Sequence, residues 1–439
     1  MKIRSTASLL VVLILLLNFN VVYAQSGSKQ AKVLKFDKEK FIATVNKNKL
    51  GGGILDGYAA VVLKDGSFVT EVAGGFAIRG NDKVKNVAMT TLTPNHIGSA
   101  FKAISFISIL SVFENRAANN PALTVEKQLN EPILPYLPNA WKLFILASKN
   151  PDVRRIANVT FRQLMSHKSG FRTIGFPQGT KPSPFNYISS GIKQSNVGVR
   201  LYANFNAVIV TYLLPRLVDP STAAQIDLQM QLNKVPNNYH SAYGGIYGDF
   251  FENWMQKNIF DAVQPAFRPS CDPAVDFPKR NPPVTFARFY ETALGGQNPA
   301  YWSEKDIDYG CHAQGGYYLS MRQLAAFMAT YQATNTLISG KTRDLIYDDS
   351  TPATQDARLV WDGLVPSPFA KEHFGVNGIP YKLGSGANAN LTAGYANTAI
   401  LLLPGGYIAV GTMTSKGDAK DVFNGLKDAW GEAIKGNFE

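Results

Sequence analysis

Pro94-Asn95-His96-Ile97-Gly98-Ser99-Ala100-Phe101-Lys102 is the stretch that decides how this 439-residue chain is read. It leaves a β-rich region through a loop and opens a strongly helical pattern, predicted over Ser99 to Glu114, with Phe101, Ile104, Ile107 and Val112 spread over its faces. Ser99 stands in the first turn and Lys102 three residues on, so both side chains share a face. A helix N-terminus offers partial positive charge to a developing oxyanion. A desolvated lysine can lose its proton and act as base toward a serine hydroxyl. The Ser-x-x-Lys pattern also begins at Ser26 and at Ser190, about what chance gives. Ser26 lies in a polar leader and Ser190 in a Gly/Ser turn. Only Ser99 opens a long apolar helix directly after a β-region and a loop, and that context selects it.

Working outward, Phe36 to Leu50 carries apolar residues at helical spacing (Phe41, Ile42, Val45, Leu50), ended by Gly51-Gly52-Gly53. Tyr58 to Leu63 and Phe68 to Val72 read as strands of a hairpin turned by Lys64-Asp65-Gly66. Residues 120–310 hold many Pro, Asn and Gly turns between short helical stretches, with no repeat. A new segment starts near Gly315-Gly316 and predicts a helix over Met321 to Tyr331. Ala396 to Leu403 and Tyr407 to Met413 flank Pro404-Gly405-Gly406 as a second hairpin, and Asp418 to Ile434 follows as an amphipathic helix. The expected fold class is α/β (α+β): an antiparallel sheet built from the N- and C-terminal segments, flanked by helices, with an inserted, mainly helical region. The sheet region spans about 35–98 and 315–439, and the helical region about 99–314, within one domain of residues 25–439.

Segment 1–24 is set apart. Lys2 and Arg4 give it a positive start, Leu9 to Leu17 is unbroken and apolar, and Val22 and Ala24 are small residues at a cleavage position. It reads as a secretory signal ending near Ala24, which implies an exported, periplasmic or extracellular protein with no stable membrane span after cleavage. Cys271 and Cys311 allow one disulfide in such a compartment, although the sequence does not place them in contact. Two Cys and five scattered His give no metal-ligand spacing, so neither a metal nor another cofactor is expected. The net charge of +12 is dispersed rather than clustered. It reads mainly as a soluble basic surface, with no Arg/Lys run interleaved with aromatics to track a nucleic acid.

Several stretches, in order, resemble one family. His96 to Lys102 is similar to the nucleophile segment of β-lactamase-related serine hydrolases: class C β-lactamases, D-Ala-D-Ala carboxypeptidases and related esterases on the penicillin-recognising fold. Leu123-Thr124-Val125 and Ile133 to Pro138, then Val159 to Phe171, then Gly315 to Ser320 agree with later stretches of the same family. Its second motif, Tyr-x-Asn, fits Tyr202-Ala203-Asn204 ahead of the apolar stretch Phe205 to Ile209. A second copy, Tyr395-Ala396-Asn397, starts a tail strand and is the less suitable of the two. The resemblance implies that Ser99 attacks the carbonyl, that Lys102 and Tyr202 move protons, and that Asn204 holds a substrate carbonyl. His167 invites a Ser-His reading, but the resemblance makes it structural. Trp361 and the other tryptophans read as core.

The third motif, His/Lys-Thr/Ser-Gly, is expected between Gly384 and Tyr395. There Ala387-Asn388-Ala389 stands in its place, with Asn388 as the substrate-binding candidate and no cation. Without a cation, carboxylate recognition is in doubt, and the expectation tilts to an esterase-like or unusual peptidase substrate. The expected partner is therefore a small-molecule or peptide substrate, with cell-wall fragments within that class. The alternative is a catalytically impaired binding protein on the same fold. An uncleaved, membrane-tethered structural protein is a more distant third.

Overall fold

The structure is a computed structural model. It describes residues 35–80, 85–172, 183–232, 240–288, 312–348, 359–367, 371, 378–387, 395–414 and 418–435. Segment 1–24, Cys311 and Asn388 lie outside these residues.

The framework is a six-stranded antiparallel sheet in the order β2-β1-β10-β9-β8-β7. Its N-terminal strands are β1 (Tyr58–Lys64) and β2 (Ser67–Gly74). Its C-terminal strands are β7 (Gly363–Pro366), β8 (Gly378–Ala387), β9 (Tyr395–Leu403) and β10 (Tyr407–Met413). Two short ribbons complete the strands: β3 (Phe76–Ile78) with β4 (Val87–Ala88), and β5 (Asn95–His96) with β6 (Tyr318–Leu319). Both termini therefore build one sheet, as the sequence pattern predicts, and Val61 lies opposite Val410 in its middle.

Strand β1 shows why this works. It reads Tyr-Ala-Ala-Val-Val-Leu, and all six residues are buried. A strand covered on both faces reads as a continuous apolar run rather than an alternation. Ala59, Val61 and Leu63 join one core, and Tyr58, Ala60 and Val62 join the other. The turn after it puts Asp65 at φ 50° and Gly66 at φ 77°, the left-handed pair that a two-residue hairpin favours.

Two terminal helices cover one face: α1 (Lys38–Asn48) and α5 (Ala419–Ile434). Asp37 caps α1 by accepting from the Lys40 amide at 3.0 Å. Asp418 and Asp421 form a capping box on α5. Phe41, Val45, Leu401, Val422, Leu426 and Trp430 pack between these helices and the sheet. On the opposite face lie α2 (Phe101–Asn119), α3 (Phe205–Val218) and α4 (Met321–Ala333). Helix α3 is apolar nearly all round and almost wholly buried, as expected of a helix at the centre of a layer. Ser320 and Gln323 cap α4 reciprocally. No helix among the described residues is long and apolar enough to cross a membrane. Cys271 is disulfide-bonded.

Candidate active site

Ser99 sits in a 3₁₀ turn, Gly98–Ala100, that runs straight into α2. The turn is held against β8 by two glycines. Gly98 has φ 53°, and a Cβ there would lie 2.7 Å from the main-chain N, C and O of Ser385. A Cβ on Gly384 would lie 2.0 Å from the Ile97 carbonyl oxygen and 2.6 Å from the Ala100 nitrogen. No side chain fits at either place, so the turn and the strand meet backbone to backbone.

Two groups converge on the Ser99 hydroxyl. Lys102 Nζ donates to Ser99 Oγ at 2.7 Å and to the Gln314 carbonyl at 2.7 Å. Tyr202 Oη donates to the same Oγ at 2.7 Å. Lys102 is 1% exposed, and Ser99 is partly open to solvent. The loop carrying Gln314 is itself fixed: Ser105 donates to the Ala313 carbonyl at 2.8 Å, and the Ala313 amide donates to Thr211 on α3 at 3.0 Å. Phe101 and Tyr317 stack at 3.9 Å between their ring centres. The amine is thus aimed by two helices and one loop.

Tyr202 precedes α3 and is 41% exposed. Protein atoms still crowd the phenol, and burial raises its pKa above the ordinary value, with the Asp362 carboxylate adding to the rise. Lys382, the Ser99 hydrogen bond and Arg200 pull the other way without reversing it. The resting phenol is therefore protonated at neutral pH and acts as a donor.

Beneath Tyr202 lies His167, 4.6 Å away between ring centres. Burial, with Lys382, Lys102 and Arg200 nearby, pushes the imidazole down to about 2. It is neutral, and its Nδ1 faces Asn206 Nδ2 at 3.0 Å. Ser169 donates to the Asn206 Oδ1, which leaves the amide NH2 to donate to the imidazole. His167 makes no hydrogen bond to Ser99 and supports the tyrosine ring from behind.

The sequence reading sought the third motif from Gly384 onward, and a lysine stands two residues before that point. Lys382-Leu383-Gly384 carries the first and third residues of His/Lys-Thr/Ser-Gly, on β8 beside the nucleophile turn. Lys382 is 1% exposed, and its Nζ lies 5.9 Å from the centre of the Tyr202 ring. It is also ion-paired: Nζ donates to Asp362 Oδ1 at 2.6 Å, while the Leu383 amide donates to Asp362 Oδ2 at 2.9 Å. Asp362 is held in turn, its amide donating to the Tyr381 carbonyl at 2.9 Å and its carbonyl accepting from Arg200 Nη2 at 2.6 Å. A cation two residues before a strand glycine was the available signal for Lys382. Nothing local in the sequence marks Asp362.

The remaining candidates are placed as follows. Asn204 is exposed at the start of α3 and makes no capping hydrogen bond with its side chain. The rival Tyr395-Ala396-Asn397 lies in β9, where Asn397 is buried and accepts from Ser385 Oγ at 2.7 Å. Trp361 is buried in the core.

Residues 47–223 match the β-lactamase family of sequences. No curated protein matches the chain in sequence. Similar solved structures include a class C β-lactamase from Rhodobacter sphaeroides, 15% identical, with 89% of this chain and 98% of that chain covered at a TM-score of 0.58. FmtA from Staphylococcus aureus is 13% identical over 94% of this chain and 93% of its own, with a TM-score of 0.57. The simvastatin synthase LovD from Aspergillus terreus is 13% identical over 91% and 98%, also at 0.57. At such identities the shared property is the fold.

Proposed function

We propose, for a chain that is β-lactamase-related in its sequence over residues 47–223 and in its fold, that Ser99 is the nucleophile of an acyl-transfer hydrolase acting on an ester, amide or lactam carbonyl. The observation that carries this reading is the double contact on one oxygen, with Lys102 Nζ and Tyr202 Oη each 2.7 Å from Ser99 Oγ. A nucleophile flanked by a base and an acid within hydrogen-bond reach is what such chemistry requires.

In the proposed cycle, Lys102 in its neutral form takes the Ser99 proton as Oγ attacks. The raised phenol of Tyr202 is suited to give its proton to the leaving group and to recover one through Lys102. The main-chain amides of Ser99 and Ser385, on segments that meet backbone to backbone at the two glycines, are the proposed donors to the developing oxyanion. Water then enters along the same path and releases the acyl group. Asn204, open to solvent two residues after Tyr202, is the proposed partner of a substrate carbonyl. The export reading rests on segment 1–24 and is a proposal of the same standing: the mature N-terminus should fall at or near Gln25.

Intact-mass measurement after incubation with a fluorophosphonate and a p-nitrophenyl ester tests the assignment. One adduct per chain, and ester turnover, should both vanish in Ser99→Ala. Turnover that survives Ser99→Ala refutes the reading. An adduct that forms and never leaves would favour the impaired binding protein.

A further inference from the structure

Lys382 is placed where a cation would meet a carboxylate on the substrate, but its charge is already taken. Asp362 accepts from Nζ at 2.6 Å with one oxygen and from the Leu383 amide at 2.9 Å with the other. The pair is sequestered, with the two side chains 1% and 13% exposed. A second carboxylate arriving at Lys382 would share its ammonium with Asp362 and stand beside a buried anion of like charge. Like charges at close range repel, and the pair carries no net positive charge to draw a second anion. Among the described residues two further cations stand near Tyr202, and neither is a ready substitute. Lys102 is engaged with Ser99 and Gln314, and Arg200 spends Nη2 on the Asp362 carbonyl while its Nε is buried. Leu383 also stands where a hydroxyl residue would assist anion binding, and it packs on the far core instead.

We infer that Asp362 is a specificity-determining residue that neutralises Lys382, so that the site takes acyl donors with an uncharged group, such as an amide or ester, where relatives of this fold would meet a carboxylate. The inference rests on Ser99 being the nucleophile. Asp362 touches no reacting atom; it acts through Lys382 and through the main chain of β8.

A matched pair of esters tests it: the phenylacetyl esters of 3-hydroxybenzoate and 3-hydroxybenzamide, which differ only in the charge on the leaving group. The quantity read is the ratio of kcat/KM, benzoate to benzamide, each normalised to spontaneous hydrolysis. Wild type should give a ratio at or below one. Asp362→Asn, which frees Lys382, should raise it at least tenfold, and Asp362→Glu should restore the low value, an effect that mere loss of structure would not produce. A wild-type ratio of ten or more overturns the inference, and so does a ratio moved less than threefold in folded Asp362→Asn. If Asp362→Asn does not fold, the wild-type ratio decides alone. Turnover of both esters that persists in Ser99→Ala sinks the nucleophile assignment instead, which separates the two failures.

Discussion

The two faces of the sheet are built from different materials. Between the strands and the helices α1 and α5 the core is mostly apolar: Phe41, Val45, Val62, Leu401, Leu426, Trp430. Between the strands and the helices α2 and α3 the core also buries Lys102, Ser105, Ser108, His167, Asn206 and Thr211. Most of these polar groups have a named partner: Ser105 with Ala313, Ser108 with Ile104, Asn206 with Ser169 and His167, Thr211 with Ala313. A buried polar group without a partner costs roughly 1–3 kcal/mol, so such a network persists only when nearly satisfied. One sheet thus separates two tasks. The α1/α5 face supplies burial and little else, while the α2/α3 face gives up apolar area to aim Lys102 and Tyr202 at the Ser99 hydroxyl.

That division can be broken most decisively at Ser99. Ser99→Ala is expected to cut ester turnover on the order of 10⁵-fold with no change in melting temperature, and a loss under tenfold would remove the chemistry from this face. Lys102→Met should cost about 10³-fold in kcat, as loss of a positioned base does. On the other face, Trp430→Ala should lower the unfolding free energy by about 3–5 kcal/mol. Its kcat per folded molecule, measured by active-site titration, should stay within twofold of wild type. A catalytic defect there would show that the faces are coupled. Tyr202→Phe keeps the ring on His167 but removes the proton, and kcat should fall about 10²-fold with KM little changed.

Acid offers the smallest and most graded test. Burial holds His96 and His312 down to about 3 and His167 to about 2, against an ordinary value of 6.5. The folded chain keeps these rings neutral, while the unfolded chain protonates them below about 6.5. Stability is therefore fully present above that pH and declines as pH falls, by up to about 1.4 kcal/mol per unit for each histidine. Urea melts between pH 6.5 and 5, above most carboxylate titration, should show the decline, and His167→Gln should make it shallower. None of the three rings belongs to the α1/α5 core. A slope unaltered by His167→Gln would mean that this ring is not held neutral on folding.

Local signals carried most of the fold. Asp65-Gly66 and Gly405-Gly406 adopt the positive φ angles their turns need. Ser320 and Asp418 cap the helices that the apolar spacing predicted. Tail strands Ala396 to Leu403 and Tyr407 to Met413 were legible within a residue of their observed limits. Ser99, Lys102 and Tyr202 were legible because a helical turn and a short motif fix their spacing, and the structure brings all three together. Lys382 was not singled out in the sequence because Lys382-Leu383-Gly384 keeps only two residues of the His/Lys-Thr/Ser-Gly pattern and lies just before the segment that was read. Asp362 lies twenty residues from Lys382 in sequence, and no periodicity reports an ion pair formed between chain segments. The close approach of Gly98 to Ser385 is likewise a tertiary fact.

The pairing of Val61 with Val410 has a consequence for the order of events during synthesis. A chain emerging N-terminus first holds β1, β2 and the Ser99 turn long before Gly384 and β10 exist. Until they arrive, β1 has one edge without its neighbour, and the Ser99 turn lacks the strand it rests against. Such long-range closure is slow, because chain entropy must be surrendered before the contacts that reward it can form. The assembled Ser99 turn is then a late property of this molecule, withheld until the C-terminal strands have been made.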